Sequence, residues 1–136
     1  MSIYEMKPEE KHLIETVIEF AEREIRPVAS ELEHKDEYPA EIVERMKELG
    51  LFGLLIPEEY EGAGINLVTY SGIIEEITKV WMSVAGIINS HTIMAYLVTH
   101  NGTEAQKKKY LPLFASGEKR GGVALTEPNA GTDLQG

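Results

Sequence analysis

The sequence predicts an all-α fold, a helical bundle of five to six helices, with one terminal β-strand. Three observations predict it. Apolar residues recur at helical spacing along most of the chain from residue 8 to residue 111. Residues that start and stop helices (Pro39, Gly50, Asn66, Thr103, Pro112) stand at the ends of those stretches. Only near the C-terminus does a short apolar run, Val123-Ala124-Leu125, leave the helical period and lead into a proline turn.

Taken in order, Leu13, Val17, Phe20/Ala21, Val28 and Leu32 mark a helix over residues 8–33, which Pro27 should kink or split. A second helix starts at about Pro39, buries Ile42, Val43, Met46 and Leu49, and stops at Gly50. The run Leu51 to Pro57 is too brief and too punctuated by glycine for a helix, and Glu58 to Gly64 is a turn-rich loop. Asn66 caps a third helix with Tyr70, Ile73, Ile74, Ile77 and Val80/Trp81 inward. The next helix, about 82–100, is apolar nearly all round, which predicts burial at the centre of the domain. Thr103-Glu104-Ala105-Gln106 is a capping box opening a last helix towards Leu111, where Pro112 should end it.

Gly117 to Gly122 reads as a hinge between a helical domain, residues 1–120, and the start of a β-domain, residues 121–136. A single strand cannot pair its own backbone groups. Its partners are expected in residues beyond Gly136, in another chain or at an edge. The strand runs into Thr126-Glu127-Pro128-Asn129-Ala130-Gly131-Thr132-Asp133. Pro128 fixes φ and Gly131 frees it, so amides there can turn outward between two threonine hydroxyls. Such a segment suits a flat heterocycle or a phosphate, and also a plain polar turn.

Composition narrows the function classes. A chain of 136 residues, 43% hydrophobic and 26% charged, holds one domain of ordinary globular character. A net charge of −10 argues against nucleic acid and anionic membranes as partners. Lys107-Lys108-Lys109 reads as a solvated helix face. No cysteine is present, which excludes thiolate nucleophiles and cysteine metal sites. No signal or transit peptide opens the chain, and Asn89 to Thr92 interrupt the apolar stretch at 84–98, so a cytoplasmic location is expected.

Chemistry-bearing motifs are few. No Gly-rich dinucleotide fingerprint follows a strand, no P-loop occurs, and His12, His34, His91 and His100 lack metal-ligand spacing. Glu58-Glu59 and Glu75-Glu76 point apart as sequence neighbours. His91, flanked by Asn89, Ser90 and Thr92, is either part of a hydrogen-bonded core cluster or the lining of a ligand pocket. No residue stands out as a catalytic base.

Three strings together resemble one family. Tyr38-Pro39-Ala40-Glu41-Ile42, Glu48 to Leu54, Ile56-Pro57-Glu58-Glu59-Tyr60 and Gly62-x-Gly64 look like the N-terminal helical domain of acyl-CoA dehydrogenases. So does Gly102 to Pro112 followed by Ala115-Ser116-Gly117-Glu118, and Ala124 to Asp133 is similar to that family's first flavin-binding signature. The resemblance covers the chain from end to end and roughly the first third of a typical member. It implies a flavoprotein oxidoreductase of fatty acid metabolism, with FAD between a middle β-domain and a C-terminal helical bundle, usually in a homotetramer. A glutamate takes the α-proton of the acyl-CoA thioester while flavin N5 accepts the β-hydride. The implied acceptor is electron-transfer flavoprotein.

Position by position, the resemblance puts Val123, Leu125 and Thr126 against the flavin ring, and Gly131 and Thr132 beside the cofactor. Thr132, where Ser is more usual, would reach the FAD pyrophosphate or the CoA moiety. Ile88, His91, Thr92 and Ala95 would face the acyl tail. Trp81 and Glu61 depart from the family's common Asp and Gly, and no Arg lies in the pocket helix to meet a dicarboxylic acyl group. The family's base belongs to its C-terminal domain, so the resemblance implies no catalytic residue up to Gly136 and an inactive chain. Related acyl-CoA oxidases, nitroalkane oxidases and flavin monooxygenases look similar over this region. A free-standing helical module acting through protein contacts is the remaining alternative.

Overall fold

The computed structural model describes residues 6–134. Helix α1 (Pro8–Phe20) runs through one π-helical turn (Ala21–Ile25) into α2 (Arg26–His34). Pro27 explains the turn: it has no N–H for the Arg23 carbonyl, and its ring crowds that carbonyl. The π turn, in which the Arg26 N–H reaches back to the Ala21 carbonyl, lengthens the register by one residue just ahead of it. Pro27 therefore divides the helix, as its position predicts.

Helix α3 (Ala40–Glu48) follows Pro39 and ends in a Schellman turn. Gly50 takes φ +68°, its N–H donates to the Lys47 carbonyl at 2.9 Å, and the Leu51 N–H donates to the Met46 carbonyl at 3.0 Å. Leu51, Phe52, Leu54 and Ile56 then enter the core without forming a helix. Their backbone is satisfied by the loop that follows. Ala63 N–H donates to Gly53, Ile65 to Leu54 and Gly64 to Ile56, each within 3.0 Å. Gly62 sits so close to this run that an added Cβ would lie 1.9 Å from the Ile56 carbonyl oxygen.

Asn66 caps α4 (Leu67–Val80), its side-chain oxygen accepting from the Val68 and Thr69 amides at 2.9 and 3.0 Å. A single extended residue, Trp81, separates α4 from α5 (Met82–Asn101). The Trp81 indole N–H donates to Glu33 at the end of α2, which fixes the corner. The Thr103–Gln106 capping box opens α6 (Glu104–Ala115) as the sequence predicts. Helices α1 and α5 both pack on α4, and α6 packs on α5. The larger core lies among α1 to α5, and a smaller one joins Ile56, Tyr60 and Ala95 to Leu111 and Ala115.

Three expectations are corrected. Helix α6 does not stop at Leu111: Pro112 lies inside it and the helix closes at Ala115, where the Ser116 N–H still reaches the Pro112 carbonyl at 3.1 Å. The proline removes one donor, but Leu111 and Ala115 are buried on either side of it and packing holds the last turn. Second, α5 is not buried all round. Val84, Ala85, Ile88, His91, Thr92 and Ala95 face inward, whereas Met82, Ile93, Tyr96 and Leu97 are exposed. By length and composition α5 is also apolar enough to cross a membrane, despite its polar interruptions. The inward half of that apolarity is accounted for by the core.

Third, Val123 to Leu125 is not a strand. Among the described residues the segment has no ladder partner and stays irregular and exposed. Its ordered feature is a tight turn in which Glu127 and Ala130 exchange backbone hydrogen bonds of 2.7 and 3.2 Å around Pro128-Asn129. The physical reason is that a strand forms only against a neighbouring strand, and none lies beside this segment among the described residues.

Candidate functional site

A groove of about 260 Å³ lies between α4 and the exposed side of α5. Leu55, Leu67, Ile93, Tyr96 and Leu97 make apolar walls, and Tyr70, Asn89 and Thr92 bring polar atoms to it. The helical repeat explains the gathering. Asn89, Ile93, Tyr96 and Leu97 fall at i, i+4, i+7 and i+8 of α5, so they share one stripe. Tyr70 is buried, which raises its pKa above the ordinary phenol range, and its hydroxyl donates to Asn89 Oδ1 at 3.2 Å. The Thr92 hydroxyl is buried beside the Tyr70 oxygen and acts on it against the larger effect of burial. Among the described residues no acidic or basic side chain lines the groove.

The four acyl-facing expectations fare differently. Ile88, His91 and Ala95 are 0%, 1% and 2% exposed and belong to the core; Thr92 alone of the four lines the groove. His91 points to the other side of α5. Its Nε2–H donates to the Phe114 carbonyl at 3.1 Å, and its ring meets Phe52 and Phe114 edge-on at 5.2 and 5.8 Å. A carbonyl only accepts, so the proton sits on Nε2 and Nδ1 is left bare in the interior. Burial pushes the His91 pKa below its ordinary value, and the ring is neutral. Among the described residues His91 lies in the core, on the side of α5 away from the groove.

Sequence reasoning missed Asn89, Ile93, Tyr96 and Leu97. A signal was present: they occupy the stripe on which Tyr and Asn interrupt the apolar residues of α5, the mark of a face that is not wholly interior.

A second hollow, of about 490 Å³, lies between α2 and α3 over Val28, Leu32, Tyr38 and Ile42. Glu24 and Glu31 on its rim are tied to Arg45 and Lys35 at 3.0 and 2.6 Å. Its charged groups are these pairs together with Glu41 in the first turn of α3.

Val123, Leu125, Thr126, Gly131 and Thr132 lie in the exposed C-terminal segment, at or near the Glu127–Ala130 turn. That segment leaves the bundle beside α5, where Gly121 runs against Met94. Arg120 anchors the exit: its guanidinium donates to the Tyr38 hydroxyl at 2.5 Å and lies over the Tyr38 and Phe52 rings. As a donor set the segment fits a flavin or a pyrophosphate, since two exposed hydroxyls flank a turn whose outer amides are not consumed by a ladder. It does not form an enclosed site on its own.

The family model for the acyl-CoA dehydrogenase N-terminal domain matches residues 7–118. The chain belongs to the acyl-CoA dehydrogenase family. The helical fold resembles that of its solved members: butyryl-CoA dehydrogenase from Megasphaera elsdenii superposes with a TM-score of 0.88 at 31% identity, over 98% of this chain and 36% of that one. A short-chain specific acyl-CoA dehydrogenase of Clostridium acetobutylicum is 40% identical over 96% of this chain and 35% of its own length. An NADH-dependent acryloyl-CoA reductase of Anaerotignum propionicum is 37% identical over 96% of this chain and 33% of its own. The chain thus spans about a third of the length of the acyl-CoA dehydrogenases it matches.

Proposed function

We propose that this chain forms one wall of the acyl pocket, and the first flavin-contacting segment, of a flavin-dependent acyl-CoA dehydrogenase. One observation carries the reading. In a chain of this family the pocket-side helix α5 leaves an apolar stripe uncovered, and that stripe continues into a groove against α4. The exposed stripe takes the hydrocarbon of an acyl thioester and keeps water from it. Bound FAD supplies the hydride acceptor for the acyl β-carbon. The Thr126 hydroxyl and neighbouring amides donate hydrogen bonds to the flavin edge, and Thr132 donates to a phosphate of the cofactor or of CoA. Among the described residues no carboxylate lines the groove, and in this reading the α-proton is taken by a base that the groove itself does not supply.

In the same reading the acceptor is electron-transfer flavoprotein and the assembly a homotetramer. The similarity to an acryloyl-CoA reductase favours a second direction for the same chemistry, delivery of hydride to an enoyl thioester instead of its removal.

Titration of the chain with butyryl-CoA, followed by amide NMR, tests the wall. Shifts should concentrate on Leu67, Tyr70 and Asn89 to Leu97; shifts spread evenly, or confined to the α2/α3 hollow, would sink the reading. With FAD and butyryl-CoA added, the chain alone should reduce no dye. Turnover would mean that the base is within it.

A further inference from the structure

The α4/α5 groove has a neighbour along α5. Leu55 lines the groove and also lines a separate hollow of about 560 Å³, which Pro57, Gly64, Thr99 and His100 help to bound. Its side chain therefore stands between the two. On α5 the same boundary is marked by a ring pair: Tyr96 of the groove stacks on His100 of the hollow, with centroids 3.9 Å apart. The His100 Nδ1–H also donates to the Tyr96 carbonyl at 2.9 Å, which holds one ring against the other. Leu55 is constrained as well. It packs on the larger core, and the carbonyls on either side of it, Leu54 and Ile56, accept from the Ile65 and Gly64 amides at 3.0 and 2.9 Å. The two spaces differ in charge: Glu58 and Glu59 line the hollow, whereas the groove has apolar walls.

We propose, on the reading that this groove receives the acyl tail, that Leu55 and the Tyr96–His100 pair close its far end and set the longest acyl chain that binds. Charge gives the direction. The carboxylates of Glu58 and Glu59 repel the phosphates of coenzyme A, so the thioester lies at the Asn89 end and the tail points to Leu55. From Asn89 to Tyr96 the groove follows α5 for about 10 Å. Each methylene laid on Ile93 and Leu97 over that length leaves water and tightens binding about four-fold. A methylene past the wall stays in water beside the carboxylates and adds nothing. Leu55 decides the limit, because backbone hydrogen bonds on both sides keep it from swinging aside for a longer chain.

The test uses the 136-residue chain and straight-chain acyl-CoA thioesters from butyryl to dodecanoyl. Dissociation constants come from amide NMR shifts at Ile93 and Leu97. Affinity should climb about four-fold per methylene and then level off at one chain length. Leu55→Ala vacates space at the wall and should move the plateau to a longer chain; Tyr96→Ala should do the same from the α5 side. Leu55→Phe fills more of the end and should move the plateau to a shorter chain, a result that stands even if Leu55→Ala fails to fold. A plateau at the same length in every folded variant overturns the proposal while leaving the acyl reading intact. So does an affinity that climbs through the whole series without levelling. No groove shifts with any thioester overturns the reading itself, and the proposal with it.

Discussion

At the residue scale, His91 shows how one ionisable group inside a core couples stability to pH. Its Nδ1 has no partner, its Nε2–H is held by the Phe114 carbonyl, and burial lowers its pKa from 6.5. The unfolded chain therefore takes up this proton more readily than the folded one. The contribution to stability is whole above about pH 6.5 and is lost as the pH falls towards the lowered folded value. Thermal midpoints measured across that window should drop for the natural chain. His91→Leu should be less stable at neutral pH, because the Phe114 carbonyl loses its donor, and its midpoint should fall less steeply with acid. Parallel slopes would show that other groups govern the acid limb. In the sequence, His91 was legible as a notable residue, with core cluster and pocket lining both open, since its direction depends on which face of α5 meets α6.

At the scale of elements, the segment between α3 and α4 is held by the buried side chains of Leu51, Phe52, Leu54 and Ile56 and by backbone hydrogen bonds across its loop. Gly50 and Gly62 both serve it, for different reasons. Gly50 supplies φ +68° in open space, so Gly50→Ala should cost about 1 kcal/mol of strain alone. Gly62→Ala would drive a methyl into the Ile56 carbonyl and disrupt the hydrogen bonds joining residues 53–57 to residues 62–65. A loss of about 3 kcal/mol or more is expected from urea unfolding. Similar values for the two variants would refute the distinction. The role of Gly50 was readable as a helix stop; that of Gly62 was not, because the approach is made across a loop that only the folded chain brings together.

At the scale of the whole molecule, Leu67, Ile93, Tyr96 and Leu97 remain exposed around one groove. This concentration of apolar side chains exceeds the scattered exposure of an ordinary surface. The chain should bind a hydrophobic fluorescent dye at neutral pH while fully helical. Leu97→Glu combined with Ile93→Lys should sharply lower the dye signal without changing far-ultraviolet circular dichroism. Undiminished fluorescence would place the dye elsewhere, in the α2/α3 hollow or at exposed Leu125 and Leu134.

Local chemistry determined the helices. The Asn66 and Thr103 caps, the Gly50 stop, the Pro27 division and the periodic stripes act within a few residues, so the sequence alone settled where helices begin and what class of fold results. The motifs at 38–64, 102–118 and 124–133 settled the family likeness in the same way. Tertiary structure decided the rest. It turned α5 so that Ile88, His91 and Ala95 entered the core and Asn89, Ile93, Tyr96 and Leu97 faced the groove. It carried α6 past Pro112 by burying Leu111 and Ala115, and it left Val123 to Leu125 without a ladder. Those outcomes depend on which surfaces meet. A helix that is apolar nearly all round carries no local mark of the face its neighbours will cover, and a strand exists only where another strand lies beside it.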